Sequence, residues 1–176
     1  MRKLKLEELN RINIDEFKNS PKTPIVIVLD NIRSLNNIGS AFRTADAFLI
    51  EEIVLCGITA KPPHRDINKT ALGATESVKW SYFETTRDAV LFLKNKNYKI
   101  IAIEQTDKSI MLNDFDFDKN NKLALIFGNE VNGIDDNIID LIDTAVEIPQ
   151  LGTKHSLNIS VCVGIVVWDI YNKLIK

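Results

Sequence analysis

The stretch Leu125-Ile-Phe-Gly-Asn-Glu130 begins as an apolar run and ends in a glycine followed by two polar residues. An apolar run of this kind predicts a strand that is buried on both faces. Open α/β sheets build their ligand sites beyond the carboxyl ends of such strands. The earlier run Ile25-Val-Ile-Val-Leu29 has the same character. The quoted stretch therefore predicts an α/β protein with a site where its glycine stands.

Predicted strands and helices alternate along the chain. The strands are predicted at 25–29, 52–56, 78–82, 98–103, 123–127 and 145–148, and the helices at 4–18, 37–48, 67–72, 86–95, 135–142 and 157–174. Alternation of this kind is typical of a parallel sheet with helices on both faces. We expect one domain over residues 1–176, with residues 1–22 as an N-terminal helical extension.

The bulk composition is that of a soluble globular protein, with 45% apolar and 26% charged residues. No apolar stretch reaches the length of a membrane span, and the N-terminus lacks the pattern of a signal peptide. Cys56 and Cys162 each lie in an apolar run, which predicts buried free thiols and fits a cytoplasmic protein. Neither cysteine has a partner at metal-ligand spacing, so no metal site is expected.

The charge distribution leaves two interpretations open. The net charge is −2, whereas proteins that bind nucleic acid through their overall charge have an excess of Lys and Arg. Lys61, Arg65 and Lys69 nevertheless lie in one loop region, and Arg33 precedes the first motif described below. These residues either form a local basic face on an acidic protein or are scattered over a solvated surface.

Four short motifs place small or polar residues at the ends of predicted elements. They are Asn37-Ile-Gly-Ser-Ala-Phe-Arg-Thr44, Phe127-Gly-Asn-Glu130, Ile148-Pro-Gln-Leu-Gly152 and Ser156-Leu-Asn158. Each has an ordinary structural alternative, namely a turn, a loop, a helix cap or a surface ion pair. Helical spacing puts Gly39 and Arg43 on one face, where the small glycine would leave room for a phosphate against the guanidinium.

The last predicted helix is apolar around almost its whole circumference, including Trp168 and Tyr171. A helix of this kind must be buried on more than one side. In a domain of this size, the pattern favours a homodimer in which a second subunit covers part of the helix.

Several common sites are missing from the sequence. It contains no GxxxxGK[ST], no GxGxxG after the first strand and no GxSxG. A P-loop, a Rossmann dinucleotide site and a nucleophile elbow are therefore not supported. His64 and His155 are the only histidines, and a Ser-His-Asp triad has little support.

Taken together, the motifs resemble those of the SpoU/TrmH family of RNA 2′-O-ribose methyltransferases, within the SPOUT superfamily. The first family motif, NxGxxxRT, matches Asn37 to Thr44, and the second, FGxExxGI, matches Phe127 to Ile134. The third, IPxxG followed by SLNxSV, matches Ile148 to Gly152 and Ser156 to Val161. The match covers about residues 24–172, and all three motifs in this order are strongly specific for the family.

The resemblance implies a parallel-sheet SPOUT fold with a C-terminal trefoil knot. It also implies S-adenosyl-L-methionine as cofactor, held by the backbone around Gly128, Ile148, Gly152 and Leu157. The family's dimer places the first-motif arginine near the cofactor of the other subunit. Gln150 departs from the methionine that the family often has at this position, which puts one end of the pocket in question.

The resemblance also assigns catalytic roles. Arg43 matches the catalytic arginine, and the supporting polar residues are Asn37, Glu130, Ser156 and Asn158. Two roles for Arg43 stay open: it abstracts the proton directly, or it anchors the RNA phosphate and stabilises the alkoxide. A guanidinium is a poor base because it stays protonated in proteins, which makes the second role physically easier.

The implied substrate is structured RNA, with tRNA slightly favoured over rRNA. The RNA-binding surface is predicted at Arg33, Lys61, Arg65, Lys69 and the N-terminal helix. Two alternatives stay open: a non-catalytic RNA-binding or assembly module on the same fold, and a methyltransferase that acts on a base. The motifs fit the second of these less well.

Overall fold

Seven parallel strands form one sheet. The computed structural model describes residues 1–176, apart from the side chain of residue 6. The strands are β1 (Thr23–Asp30), β2 (Ile50–Cys56), β3 (Trp80–Phe83), β4 (Tyr98–Ile103), β5 (Ile110–Met111), β6 (Lys122–Phe127) and β7 (Thr144–Glu147). Their order across the sheet is β3-β2-β1-β6-β4-β7-β5, and every pairing is parallel. The carboxyl ends of β6, β4 and β7 therefore lie side by side.

Helices cover both faces of the sheet, as predicted. They are α1 (Ile14–Asn19), α2 (Leu35–Ala47), α3 (Arg65–Ala71), α4 (Ala74–Ser77), α5 (Thr86–Asn95) and α6 (Ile159–Ile175), with short 3-10 helices at Leu6–Leu9 and Asp136–Leu141. The buried side chains of α2, α3 and α6 share one core with alternate residues of β1. Those of α5 and of the 3-10 helix at 136–141 share a second core on the opposite face.

The buried residues of β1 explain why its sequence is a continuous apolar run. Ile25, Ile27 and Leu29 point into the core that contains α2 and α6. Val26 and Val28 point into the core that contains α5. Since successive side chains of a strand point to opposite faces, a central strand between two helical layers needs an apolar residue at every position.

The N-terminal segment differs from the single helix predicted over 4–18. Asn10 has left-handed backbone dihedrals (φ 48°, ψ 44°), so the 3-10 helix at 6–9 ends there. Asn13 then begins α1 with a capping box: its side chain accepts from the backbone N–H of Glu16 at 2.9 Å, and the Glu16 carboxylate accepts from the backbone N–H of Asn13 at 2.9 Å. Two short helices therefore replace the predicted long one.

Other boundaries differ where polar side chains cap helices. Ser34 is the N-cap of α2, which begins two residues before the predicted position, and Asn158 is the N-cap of α6, which begins two residues after it. The two-residue edge strand β5 and the one-turn helix α4 were not predicted. The predicted strand 78–82 begins two residues later, at Trp80.

The close packing of α2 on α3 corrects one inference about the first motif. A Cβ on Gly39 would lie 2.1 Å from Oγ1 of Thr70 and 2.2 Å from the carbonyl oxygen of Ile67. The space beside Gly39 is therefore filled by α3, and the expected room for a phosphate is not there. Gly39 serves helix packing, while Arg43 is exposed one turn further along.

None of the described helices has the length and the apolar character that a membrane span requires.

Candidate active site

A cavity of about 320 Å³ lies beyond the carboxyl ends of β4, β6 and β7. Its lining combines residues that follow β4 (Glu104, Gln105), β6 (Gly128, Asn129, Glu130) and β7 (Ile148, Gln150) with residues before α6 (Ser156, Leu157). Its volume is within the range of small-molecule and cofactor pockets. The strand order brings together loops that are well separated along the chain.

Most of the residues predicted to hold a cofactor line this cavity. Gly128, Ile148 and Leu157 do so, as does Gln150. Gly152 does not: it lies in an exposed loop, and a Cβ added to it would meet no atom within 4 Å. Of the four predicted cofactor contacts, Gly152 is the one that the folded chain leaves outside the pocket.

Two hydrogen bonds join all three motifs beside the cavity. Nδ2 of Asn37 donates to Oε1 of Glu130 at 3.1 Å. Nδ2 of Asn158 donates to Oδ1 of Asn37 at 3.2 Å. Asn158 also caps α6, because its Oδ1 accepts from the backbone N–H of Ser160 at 2.9 Å. Asn158 thus has a structural role and also belongs to the polar network that the motifs form.

The loop after β6 is held by its own side chains. Asn129 is buried; its Oδ1 accepts from the backbone N–H of Val131 at 2.8 Å, and its Nδ2 donates to the carbonyl oxygen of Asn31 at 2.7 Å. A Cβ on Gly128 would lie 2.3 Å from the carbonyl carbon of Gly133. A glycine is therefore needed at position 128 because Gly133 of the same loop packs against it. The position of Gly128 at a strand end suggests instead that a ligand requires the glycine.

Three residues at strand ends matter to the site although no motif marks them. Asp30, at the end of β1, is buried, and its carboxylate accepts from the backbone N–H of Asp135 and from the side chain of Asn31, at 2.9 and 2.8 Å. Glu104 and Gln105, after β4, line the cavity. A polar residue directly after a predicted strand is a signal that points to Asp30 and Glu104, and Gln105 is the next residue along the chain.

Arg43 lies outside the cavity. It lines a separate groove of about 830 Å³ between the N-terminal segment, α2 and the turn before α4. Arg11, Phe48 and Leu72 line the same groove. Among the side chains that the structure describes, neither Arg11 nor Arg43 forms an ion pair with a carboxylate. The structure thus separates the predicted catalytic guanidinium from the predicted cofactor pocket of the same chain.

The other predicted RNA-binding residues are all exposed. Arg33 borders a polar depression next to the loop after β6. The ammonium of Lys61 lies 4.1 Å from the ring centroid of Tyr82. Arg65 begins α3 and Lys69 lies in its last turn, so the two side chains share one helix face.

Cys162 lines the cavity but is only half-buried, whereas Cys56 is fully buried as predicted. Burial raises the pKa of each thiol to about 12, with the negative charge of Glu104 adding to the effect at Cys162. Both cysteines are therefore neutral thiols near pH 7 and poor nucleophiles. The side chains described include no group of His, Cys, Asp and Glu that could hold a metal ion.

Comparison with known proteins identifies the family. The model of the SpoU rRNA Methylase family matches residues 24–168, which contain all three motifs and every strand except the first residue of β1. The chain belongs to the SpoU rRNA Methylase family. The predicted SpoU/TrmH membership is confirmed.

Relatives in this family carry related names. A tRNA (guanosine(18)-2′-O)-methyltransferase of Borreliella burgdorferi is 28% identical over 166 residues, which cover 94% of this chain and 74% of that one. A 23S rRNA (guanosine-2′-O-)-methyltransferase of Neisseria meningitidis is 29% identical over 159 residues, 90% of this chain and 62% of that one.

A solved structure has the same fold. The AdoMet-bound rRNA methyltransferase from Sinorhizobium meliloti superposes with a TM-score of 0.80 at 23% identity, over 93% of this chain. The chain spans 60% of that protein's length. The predicted parallel-sheet fold of the SpoU family is thereby confirmed, while the trefoil knot stays a prediction.

Proposed function

We propose that this SpoU-family protein is an S-adenosyl-L-methionine-dependent RNA 2′-O-ribose methyltransferase. The observation that carries the proposal is the contact of Asn37 with Glu130 and Asn158, which joins the three family motifs at the edge of one cavity. The relatives named above, which act on the 2′-oxygen of guanosine in tRNA or 23S rRNA, support the same chemistry.

The cavity fits the proposed cofactor. Ile103, Ile148 and Leu157 give it apolar walls, as an adenosine group requires, and the loops that follow the strands offer backbone polar groups beside them. When bound, the cofactor supplies an electrophilic methyl group on a positively charged sulfur. The chain contributes the walls that orient it, and the neutral thiol of Cys162 does not compete for the methyl group.

Arg43 is proposed to anchor the RNA and to stabilise the developing alkoxide. Transfer to a 2′-oxygen requires alignment of the reacting atoms, loss of the hydroxyl proton and stabilisation of negative charge. A guanidinium that stays protonated serves the last of these best. Arg43 is exposed and has no carboxylate partner, so its charge is free for a phosphate or an alkoxide. Asn37, Glu130, Ser156 and Asn158 are proposed to orient the ribose.

A homodimer would bring the two halves of the site together. On α6, Val161, Ile165 and Trp168 are 49%, 37% and 54% exposed, and they lie three or four residues apart on one face of the helix. The ring of Trp168 lies 5.9 Å from that of Phe48, which lines the Arg43 groove. A second subunit seated on this apolar face would lie against the groove, and Arg43 would then act at the cavity of the partner subunit.

The proposed substrate is structured RNA, with tRNA slightly favoured, and the proposed setting is the cytoplasm. A folded tRNA offers its backbone shape to a small dimer. Arg33, Lys61, Arg65 and Lys69 would contact that backbone, and Arg11 would join them because it shares the groove of Arg43.

The direct test is transfer of a labelled methyl group from S-adenosyl-L-methionine to purified total tRNA and rRNA, followed by mass spectrometry of the nucleosides. A 2′-O-methylated nucleoside is the expected product. If the protein binds RNA but never methylates it, the result would favour the non-catalytic RNA-binding module, whether or not the cofactor is bound. A methyl group found on a base would contradict the proposed chemistry.

A further inference from the structure

Glu104 and Gln105 tie together the two loops that enclose the cavity. Oε1 of Glu104 accepts from the backbone N–H of Gln105 at 2.9 Å, and Oε2 accepts from the backbone N–H of Ile134 at 3.1 Å. Nε2 of Gln105 donates to the carbonyl oxygen of His155 at 3.0 Å. The end of β4 thus holds the loop after β6 through one side chain and the loop before α6 through the next.

The charge of Glu104 is not neutralised by a cation. Its carboxylate is half-buried, and no Lys, Arg or His whose side chain is described forms an ion pair with it. The other ionisable groups that line the cavity are Glu130, Glu147, His155 and Cys162. The described lining of the cavity therefore contains three acidic side chains and no Lys or Arg.

We propose that Glu104 is a specificity-determining residue that makes the cavity prefer the cationic methyl donor over the neutral, demethylated product. This inference rests on the proposed function. S-adenosyl-L-methionine has one more positive charge than S-adenosylhomocysteine, while the two have nearly the same shape. A cavity of about 320 Å³ keeps a bound sulfonium within roughly one Debye length, about 8 Å, of the carboxylate. Loss of the charge after transfer would weaken this attraction and favour product release.

The alternative is that Glu104 only holds the loop through the backbone N–H of Ile134. A loop-holding role affects charged and neutral ligands equally, because both need the same pocket walls. A charge role affects only the cationic ligands. Glu104→Gln separates the two by the ratio of the affinities. The amide keeps the size and one acceptor oxygen, so it retains one of the two backbone hydrogen bonds and removes the charge. Loss of the other hydrogen bond weakens charged and neutral ligands alike, whereas loss of the charge changes their ratio.

The experiment is calorimetric measurement of Kd for three ligands: S-adenosyl-L-methionine, sinefungin, which has an ammonium group near the position of the sulfonium, and S-adenosylhomocysteine. The proteins are the wild type, Glu104→Gln and Glu104→Asp. Glu84→Gln is the matched control, because Glu84 is exposed and does not line the cavity. In Glu104→Gln we expect about tenfold weaker binding of the two cationic ligands and less than about twofold weaker binding of the neutral one. Glu104→Asp and Glu84→Gln should keep the wild-type ratio.

Equal weakening of all three ligands in Glu104→Gln, or no change in any of them, would overturn the inference. If that variant does not fold, the wild type is compared with Glu147→Gln, because Glu147 is an acidic residue of the same cavity at the end of β7. The preference for the cationic ligands should persist in Glu147→Gln and should fall as salt is raised. A preference that is lost in Glu147→Gln, or that is independent of salt, overturns the proposal. A wild-type protein that binds none of the three would contradict the proposed function itself. That result is distinguishable because it appears before any variant is made.

Discussion

The cofactor cavity and the Arg43 groove are built in opposite ways. Around the cavity, buried and half-buried polar groups are paired: Asn129 and Glu104 each form hydrogen bonds that fix a loop. In the groove, Arg43 and Arg11 have no carboxylate partner among the side chains described, and the exposed Leu72 lies beside them.

This difference indicates which part of the site one chain completes alone. Paired polar groups hold a pocket in place before a ligand arrives, and such preorganisation reduces the cost of binding. The guanidinium groups of Arg11 and Arg43 form no ion pair with any described side chain, although Asp46 lines the same groove and accepts a hydrogen bond from Ser77. They are therefore available to an RNA phosphate. We therefore expect the cavity to bind its small ligand in isolated protein, and the groove to act only with RNA and a second subunit.

The largest expected effect is on the cavity. Gly128→Val should abolish measurable cofactor binding, because its Cβ would lie 2.3 Å from the carbonyl carbon of Gly133 and the loop would have to move. Gly152→Ala is the contrasting variant, since a Cβ there meets no atom within 4 Å. Calorimetry checks both, with circular dichroism to confirm folding and Gly128→Ala as a milder replacement. Unchanged cofactor affinity in a folded Gly128→Val protein would contradict the assignment of this cavity as the cofactor site.

The next effect concerns the groove. Arg43→Ala should bind the cofactor as the wild type does, because Arg43 does not line the cavity. Methyl transfer should fall by about a hundredfold or more, the loss expected when one charge-stabilising contact of a transition state is removed. Arg87→Ala is the control, since Arg87 is an exposed arginine that pairs with Asp140. Activity of Arg43→Ala within about threefold of wild type would mean that Arg43 is only a surface residue.

A smaller effect is expected where the two regions meet. Asn37→Ala removes the hydrogen bonds to Glu130 and Asn158 and should lower kcat/KM roughly tenfold, equivalent to about 1.4 kcal/mol. Asn36→Ala, on the exposed side of the same helix, is the control. In a double-mutant cycle with Glu130→Gln, the combined loss should be less than the sum of the single losses. Full additivity would mean that the network does not act as a unit.

The smallest effect is on RNA affinity. Neutralising Lys61, Arg65 and Lys69 together should reduce the salt dependence of RNA binding. In a plot of the logarithm of the binding constant against the logarithm of the salt concentration, the slope should be smaller in magnitude by about 2. Cofactor affinity should not change. The matched control neutralises Lys96, Lys99 and Lys122, which are exposed near the amino ends of β4 and β6, away from the site. Equal loss of RNA binding in both triple variants would show that net charge, and not this surface, is responsible.

The sequence predicted those parts of the fold and site that depend on local pattern. The buried strands appear as β-branched runs because helices cover both faces of the sheet, and the motif residues stand where those runs end. The break in the N-terminal segment was missed because it depends on the left-handed backbone of Asn10 and on the capping box of Asn13. The short strand β5 has too few residues to show a period.

Features that depend on tertiary contacts could not be predicted from the sequence. Gly39 and Arg43 share a helix face by spacing, yet only the packing of α3 shows that the space beside Gly39 is filled. The place of Glu104 in the cavity follows from the sheet order, which puts β4 between β6 and β7. Nothing in the local sequence distinguishes Glu104 from any other acidic residue that follows a strand.

The central claim is that Arg43 of one subunit acts at the cavity of the other, and a mixture of two inactive variants tests it most directly. Arg43→Ala and Gly128→Val, carrying different tags, are co-expressed, and the heterodimer that carries both tags is purified. If the active site is shared between subunits, this heterodimer has one intact site out of two. Since heterodimers make up about half of a random mixture of the two subunits, the unpurified mixture recovers about one quarter of wild-type activity. A heterodimer as inactive as both parent proteins would contradict the claim and assign Arg43 to the cavity of its own chain.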